Sequence, residues 1–307
     1  MHLTIVGLGV VGCSVGLALK AVAPDLPITG HDRDAERAKT AKTRGAVDRT
    51  HWNLLSACQD ADLILLDLPL SELLTTLPIL GREAKEGAVL VDTCPVKRPV
   101  LEIARTLPPR VAFVGGRIVS QSLGEAATPA ASLLHEATFY LTPSDGASAQ
   151  ALEMASNLAE AVGAHPRYSD AQEHDGIAAG MAQAPLLCAL GLLDILTTAP
   201  GARERRAACG VEFAALLALL QGSAQTIECL QANADDLLPW LDAALTQWAR
   251  LRQLLADDPD ALGEELTRVR ETAAAWQLGP EREERPAAKD ALPGWRQMLL
   301  GGLGKGS

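Results

Sequence analysis

Three glycines after the first apolar run carry the clearest chemistry in this sequence. Gly7-Leu8-Gly9-Val10-Val11-Gly12 follows Leu3 to Val6 directly and opens an amphipathic stretch. In that pattern Gly7 permits a tight turn, Gly9 lets backbone approach a diphosphate, and Gly12 seats a helix against the strand. The helix N-terminus, at Val10 and Val11, offers unpaired amides and a positive dipole end. Asp32 ends the second apolar run, twenty residues past Gly12. A carboxylate there accepts hydrogen bonds from adenosine ribose hydroxyls and repels a 2′-phosphate. NAD is therefore the expected cofactor. Arg33 and Arg37 keep NADP open, because a guanidinium pairs with the extra phosphate.

The carboxyl ends of further parallel strands should meet at the same crevice. Leu68 and Pro69 are expected to form a wall near the adenine or diphosphate. Thr93, Cys94 and Arg117, the last in Gly115-Gly116-Arg117 at the carboxyl end of a strand, are expected to face the nicotinamide. Arg117 has the fork geometry to clamp a carboxylate. Lys97 could polarise a substrate oxygen, Ser122 could supply a hydroxyl beside it, and Gln183 could hydrogen-bond the substrate. Each has a plainer reading: a surface cation for Arg117 and Lys97, a polar turn for Ser122, a helix-packing amide for Gln183. His174, within Glu173-His174-Asp175 at a helix start, is read as a capping residue in preference to a proton carrier. Six histidines and six cysteines show no metal-ligand spacing, so no metal site is expected.

The elements that must position these residues follow from hydrophobic pattern. Apolar runs at Leu3 to Val6, Ile28 to His31, Leu63 to Leu66, Ala88 to Asp92, Val111 to Val114 and Thr138 to Leu141 read as strands buried on both faces. Segments such as Val10 to Ala23 and Ala35 to Arg44 supply crossover helices. The fold class expected is α/β: a doubly wound, mainly parallel Rossmann-type sheet, followed by an all-helical C-terminal dimerisation domain. The boundaries are residues 1–170 for the dinucleotide-binding domain, 171–278 for the helical domain and 279–307 for a charged, then Gly-rich tail. Helical periodicity after Ala171 breaks at Pro200-Gly201 and Asp258-Pro259. Long apolar faces such as Leu237, Leu241, Leu245, Trp248, Leu251 and Leu255 point to a homodimer.

These motifs, taken in order, resemble the prephenate/arogenate dehydrogenase family of tyrosine biosynthesis over roughly the first 190 residues. TIVGLGVVGCSVGLAL with GHDRD is similar to the family's cofactor half, LLDLPLSEL to its fourth-strand loop, and VDTCPVK to its D-x-x-S-x-K segment. FVGGRIV stands where the family has G-G-H-P, and ATFYLTP and Glu173-His174-Asp175 also have counterparts. The resemblance implies NAD(P)-dependent oxidative decarboxylation of a cyclohexadienol, with the histidine of G-G-H-P taking the hydroxyl proton. Here that position is Arg117, which cannot act as a base at neutral pH. The motif serine is Pro95, the S-H-L-P-H segment reads Ala182-Gln183-Ala184-Pro185-Leu186, and the family's carboxylate arginine falls near Leu216 to Leu220, where there is none. One missing general base costs roughly 10²–10⁴ in rate. Cofactor binding is thus expected to be kept and proton handling dismantled.

The functional expectation is an NAD(P)-dependent oxidoreductase with an altered, small carboxylate substrate. The alternative is a non-catalytic dinucleotide-binding dimer that senses cofactor or scaffolds a partner. The 307 residues are 48% hydrophobic and 21% charged, which excludes a disordered chain. A net charge of −11 disfavours nucleic acid as a partner. The opening MHLTIVGLG lacks the basic segment of a secretory leader, and Ala184 to Ala199 is about one turn too short to span a bilayer. A cytoplasmic location is expected, without membrane association.

Overall fold

The computed structural model describes residues 1–120, 128–221 and 227–278. Eight strands form one sheet: β1 Leu3–Val6, β2 Ile28–His31, β3 Arg49–Thr50, β4 Leu63–Leu66, β5 Val89–Asp92, β6 Ala112–Val119, β7 Thr138–Pro143 and β8 His165–Tyr168. Their order is β3-β2-β1-β4-β5-β6-β7-β8. All neighbours run parallel except β6 and β7, which pair antiparallel with Arg117 opposite Tyr140.

Side chains alternate between two cores, as a pleated strand dictates. Leu3 and Ile5 face a core shared with helices α1 (Val10–Val22), α2 (Ala35–Thr43) and, from later in the chain, Ala149–Ala161. Val6, Ile64, Leu66 and Leu90 face the other, covered by α3 (Leu54–Cys58), α4 (Leu70–Glu83) and α5 (Arg98–Ala104). The helix Ala149–Ala161 is α6. This is the expected doubly wound sheet, with helices on both faces.

Gly115-Gly116-Arg117 does not stand at the end of its strand, as a run closing at Val114 implied. These residues lie inside β6, because pairing with β7 carries the strand past Val114. The glycines are there for space: a Cβ at Gly116 would come within 2.3 Å of the Asp92 carbonyl oxygen. That room admits a buried ion pair. Lys97 Nζ donates to Asp92 Oδ2 and, at 2.7 Å, to the Gly116 carbonyl, while Asp92 accepts from the amides of Cys94 (2.9 Å) and Gly116 (2.8 Å). Both side chains are completely buried.

Everything described after Ala171 is helical. Helix α7 (Ala171–Ala178), a π turn (Ala179–Gln183) and α8 (Ala184–Thr198) run on as one 28-residue helix. It is long and apolar enough to cross a membrane by length and composition, which corrects the shorter span read from sequence. Its buried side packs against the sheet and later helices, and it carries His174 and Asp175 near its start. Helices α9 (Ala202–Arg206), α10 (Val211–Gln221), α11 (Ile227–Ala232), α12 (Ala234–Asp257) and α13 (Pro259–Leu278) follow, with breaks at the expected Pro-Gly and Asp-Pro steps. Helix α12 crosses the π turn, where a Cβ at Gly180 would meet the Trp240 ring at 2.7 Å.

The Asp92–Lys97 pair generates a prediction. Lys97→Met leaves a buried carboxylate without its counter-charge and should cost about 3–5 kcal/mol of stability. Urea unfolding measures this, and Asp92→Asn combined with Lys97→Met should recover part of the loss. An unchanged midpoint in the single variant would contradict it.

Candidate functional site

At the end of β1 the chain turns through Gly7, whose φ of +92° suits glycine; a Cβ there would lie 2.0 Å from the Asp67 carbonyl oxygen. Gly12, in the first turn of α1, abuts Gly7, and a Cβ there would meet the Gly7 oxygen at 2.0 Å. Gly9 is different. A Cβ on it would touch only Asp67 Oδ2, at 3.6 Å. Two glycines therefore fasten backbone to backbone, and the third keeps one face of the loop low. The amides of Val10 and Val11 stand at that helix start, where no preceding turn can accept them.

Asp32 accepts the Leu8 amide on Oδ2 and the Asp34 amide on Oδ1, both at 2.8 Å. Each carboxylate oxygen keeps a further lone pair for a ligand hydroxyl. Beside it, Arg33 is exposed and paired with Glu72 at 3.0 Å. Asp32, Arg33, Leu68, Pro69 and Gly9 line a cleft of about 360 Å³, which therefore joins the predicted cofactor residues of β1, β2 and β4. Asp67 lines it too, a residue for which sequence reasoning named no role. Its carboxylate accepts from the Gly12 amide (2.9 Å) and Thr93 Oγ1 (2.7 Å). Burial, and then the charge of Asp32, push its pKa up against those two hydrogen bonds. Its place at the carboxyl end of β4, facing the glycine loop, was the signal.

On the far side of the crevice, Cys94 is buried against Cys229 of α11; that contact and burial push its thiol upward, so it is no thiolate nucleophile at neutral pH. Lys97 faces Asp92 and the sheet interior, and its ammonium is spent there. Gln183, at the end of the π turn, is fully buried and accepts from Asn233 Nδ2 at 2.8 Å. Ser122 lies outside the described residues. Among the described residues no three His, Cys, Asp or Glu side chains gather as a metal-binding group.

Arg117, Tyr140, His174 and Asp175 come together where β6 and β7 meet α7. The Arg117 guanidinium makes no hydrogen bond or ion pair with any described residue; burial lowers its pKa, and Tyr140 and Asp175 oppose that shift. Asp175 is the hub. It accepts from the amides of Lys97 (2.7 Å) and Arg98 (2.8 Å) and meets His174 Nδ1 at 2.8 Å. Against the upward push of burial, His174 and those amides hold its carboxyl below the ordinary value.

His174 does not cap α7. Asp170 does, accepting the Glu173 amide at 2.8 Å, because its shorter carboxylate sits one residue before the helix. The His174 ring is instead buried, edge-on to Tyr140 with ring centres 5.7 Å apart. An imidazole thus stands beside Arg117, where the sequence implied that none was left. The adjacency of residues 117, 140 and 174 could not be read from spacing.

The nucleotide-binding domain of prephenate dehydrogenase, as a family model, matches residues 15–168. A curated prephenate dehydrogenase of Bacillus subtilis is 31% identical over 190 residues, covering 61% of this chain and 51% of that protein. Cyclohexadienyl dehydrogenase of Zymomonas mobilis is 24% identical over 197 residues, covering 64% of this chain and 67% of that protein. The chain thus spans about half the length of the Bacillus relative that it matches. Among solved structures, prephenate dehydrogenase of Aquifex aeolicus, in complex with hydroxyphenyl propionate and NAD+, superposes with a TM-score of 0.79 at 20% identity, over 90% of this chain and 98% of that one. Arogenate dehydrogenase of Synechocystis gives a TM-score of 0.72 at 21% identity, over 90% of this chain and all of the other. With its glycine loop, its doubly wound sheet and this matched span, the chain belongs to the prephenate dehydrogenase family.

Proposed function

We propose that this protein is a cytoplasmic, homodimeric dehydrogenase that binds a nicotinamide dinucleotide and oxidises a small hydroxyl-bearing carboxylate other than prephenate. The observation that carries the reading is a cradle cleared at Gly9, with Asp32 beside it and, farther along the sheet, an Arg117 guanidinium without a partner among the described residues. The Gly7–Gly12 loop and the Val10 and Val11 amides would hold the diphosphate, Asp32 the adenosine ribose, Leu68 and Pro69 the wall, and Thr93 and Cys94 the nicotinamide side. Bound there, the oxidised nicotinamide supplies a two-electron hydride acceptor. The acid at Asp32, and an Arg33 already paired with Glu72, favour NAD over NADP.

Arg117 is the natural clamp for the substrate carboxylate, being desolvated and without a partner among the described residues. Its presence in place of the family's histidine, with Pro95 in place of the serine, is why prephenate itself is not the favoured substrate. Lys97 serves through the Asp92 pair, and Gln183 through helix packing. The same losses favour a second reading, a dinucleotide-binding dimer without catalysis.

The homodimer is proposed from α12. Leu245, Trp248 and Leu255 share one helical face and are each at least half exposed. Leu245→Glu with Trp248→Glu should convert a dimer to a monomer in sedimentation velocity; a wild-type monomer would refute this part.

Absorbance at the reduced-nicotinamide band, followed with NAD and a panel of prephenate, arogenate and 2-hydroxy acids, tests the reaction. Turnover of a hydroxy acid, with Arg117→Ala raising KM far more than it lowers kcat, is expected. NAD binding without any turnover would select the second reading. Calorimetry should show Asp32→Ala weakening NAD by about 1–3 kcal/mol; absence of heat with wild-type protein and either coenzyme would overturn both readings.

A further inference from the structure

Buried polar atoms without partners are uncommon, and each calls for a physical account. Among the described residues, His174 Nε2 is such an atom. The state of the ring follows from its other nitrogen. Asp175 Oδ1 accepts from the Lys97 amide and faces His174 Nδ1 at 2.8 Å. An ionised carboxylate can only accept, so Nδ1 carries the hydrogen. Burial lowers the His174 pKa below its ordinary 6.5; Asp175 opposes this, and the positive charges of Lys97 and Arg117 add to it. The neutral ring therefore bears its lone pair on Nε2.

A carboxylate fixing an imidazole so that Nε2 is left as a base is the arrangement that general-base catalysis uses. Here it stands within electrostatic reach of Arg117, which has no ion pair among the described residues. Arg117 on β6 lies opposite Tyr140 on β7, and Tyr140 is packed edge-on against the His174 ring. The two needs left unmet among the described residues, a negative group for Arg117 and a hydrogen-bond donor for Nε2, are complementary to one molecule with a carboxylate and a hydroxyl.

We propose that His174 is the proton acceptor of this site, its Nε2 taking the hydroxyl proton of a hydroxy-carboxylate held through Arg117. This rests on the dehydrogenase reading above and names the base that reading lacked. The O–H bond breaks, the proton goes to Nε2, and the electron pair left on oxygen becomes the second carbon–oxygen bond. The carbon's hydrogen leaves with its own electron pair, as hydride, to the oxidised nicotinamide. Asp175 then faces an imidazolium, which its charge stabilises. The groups around the ring are Asp175 on α7, Lys97 before α5, Arg117 on β6 and Tyr140 on β7.

Two measurements test it, one of them independent of turnover. Long-range ¹H–¹⁵N spectra of the wild-type protein with NAD should assign the hydrogen to Nδ1. Saturation with hydroxyphenyl propionate, which carries both a hydroxyl and a carboxylate, should then shift Nε2. An Nε2 signal indifferent to that ligand overturns the proposal. On the substrate found by the panel, kcat/KM should fall only at a pH below the ordinary histidine value, because burial lowers the His174 pKa and Nε2 takes up a solvent proton there. His174→Gln should lower kcat by roughly 10²–10⁴ and erase that acid limb while the circular dichroism spectrum is retained. Wild-type activity or an intact limb in the variant overturns the proposal; an unfolded variant leaves the spectra to decide it. If Nε2 responds to the ligand but no panel member is turned over, the dehydrogenase reading fails and the acceptor role toward a ligand hydroxyl stands.

Discussion

An ammonium in the interior of a sheet is tolerable only when a carboxylate meets it and every remaining donor finds an acceptor. Lys97 satisfies that condition with Asp92 and the Gly116 carbonyl, and the two glycines of β6 leave the room it needs. The consequences spread in both directions. Asp92 also takes the amides of Cys94 and Gly116, so the end of β5 and the middle of β6 are held by one carboxylate. The Lys97 amide is bonded by Asp175, which brings α7 onto the sheet and sets His174 beside Tyr140. The placing of His174 near Tyr140 and Arg117 is thus tied to the same segment as one buried charge pair.

The helical part is fastened at the same place by polar contacts. Arg98, next in the chain, reaches Asp175, Asn233 Oδ1 at 2.7 Å and Asp236 at 2.6 Å. Asn233 in turn donates to Gln183 and to the Asp175 carbonyl. Buried networks of this sort specify one arrangement, because a displaced member leaves several polar groups without partners. Apolar packing adds to it, with Cys229 of α11 joining the core beneath α4.

Much of this was legible from residue order because it depends on local rules. The glycine loop was readable, since the spacing of Gly7, Gly9 and Gly12 encodes backbone clearances that the structure reproduces. So were the buried parallel strands, which have no choice but to be apolar. Strand β3 was missed because it is two residues long, and β8 because His165-Pro166-Arg167-Tyr168 lies at an edge and needs no apolar run. Strand β6 was cut short because Gly-Gly reads as a turn when the neighbour requiring it, Asp92, is far away in sequence. The same distance hid the polar cluster. Neither Asp175 gripping the Lys97 amide nor the meeting of residues 117 and 174 leaves a trace in spacing.

Asp32 links two properties that are usually discussed apart. In the proposed reading its carboxylate, at the tip of β2, would tell coenzymes apart, and it also latches the Leu8 amide inside the turn that follows β1. Exchanging it for a neutral residue to admit a phosphorylated ribose would release that amide and loosen the turn. A change of coenzyme made at this one position would therefore also cost the turn its acceptor for Leu8, unless a second residue supplied another.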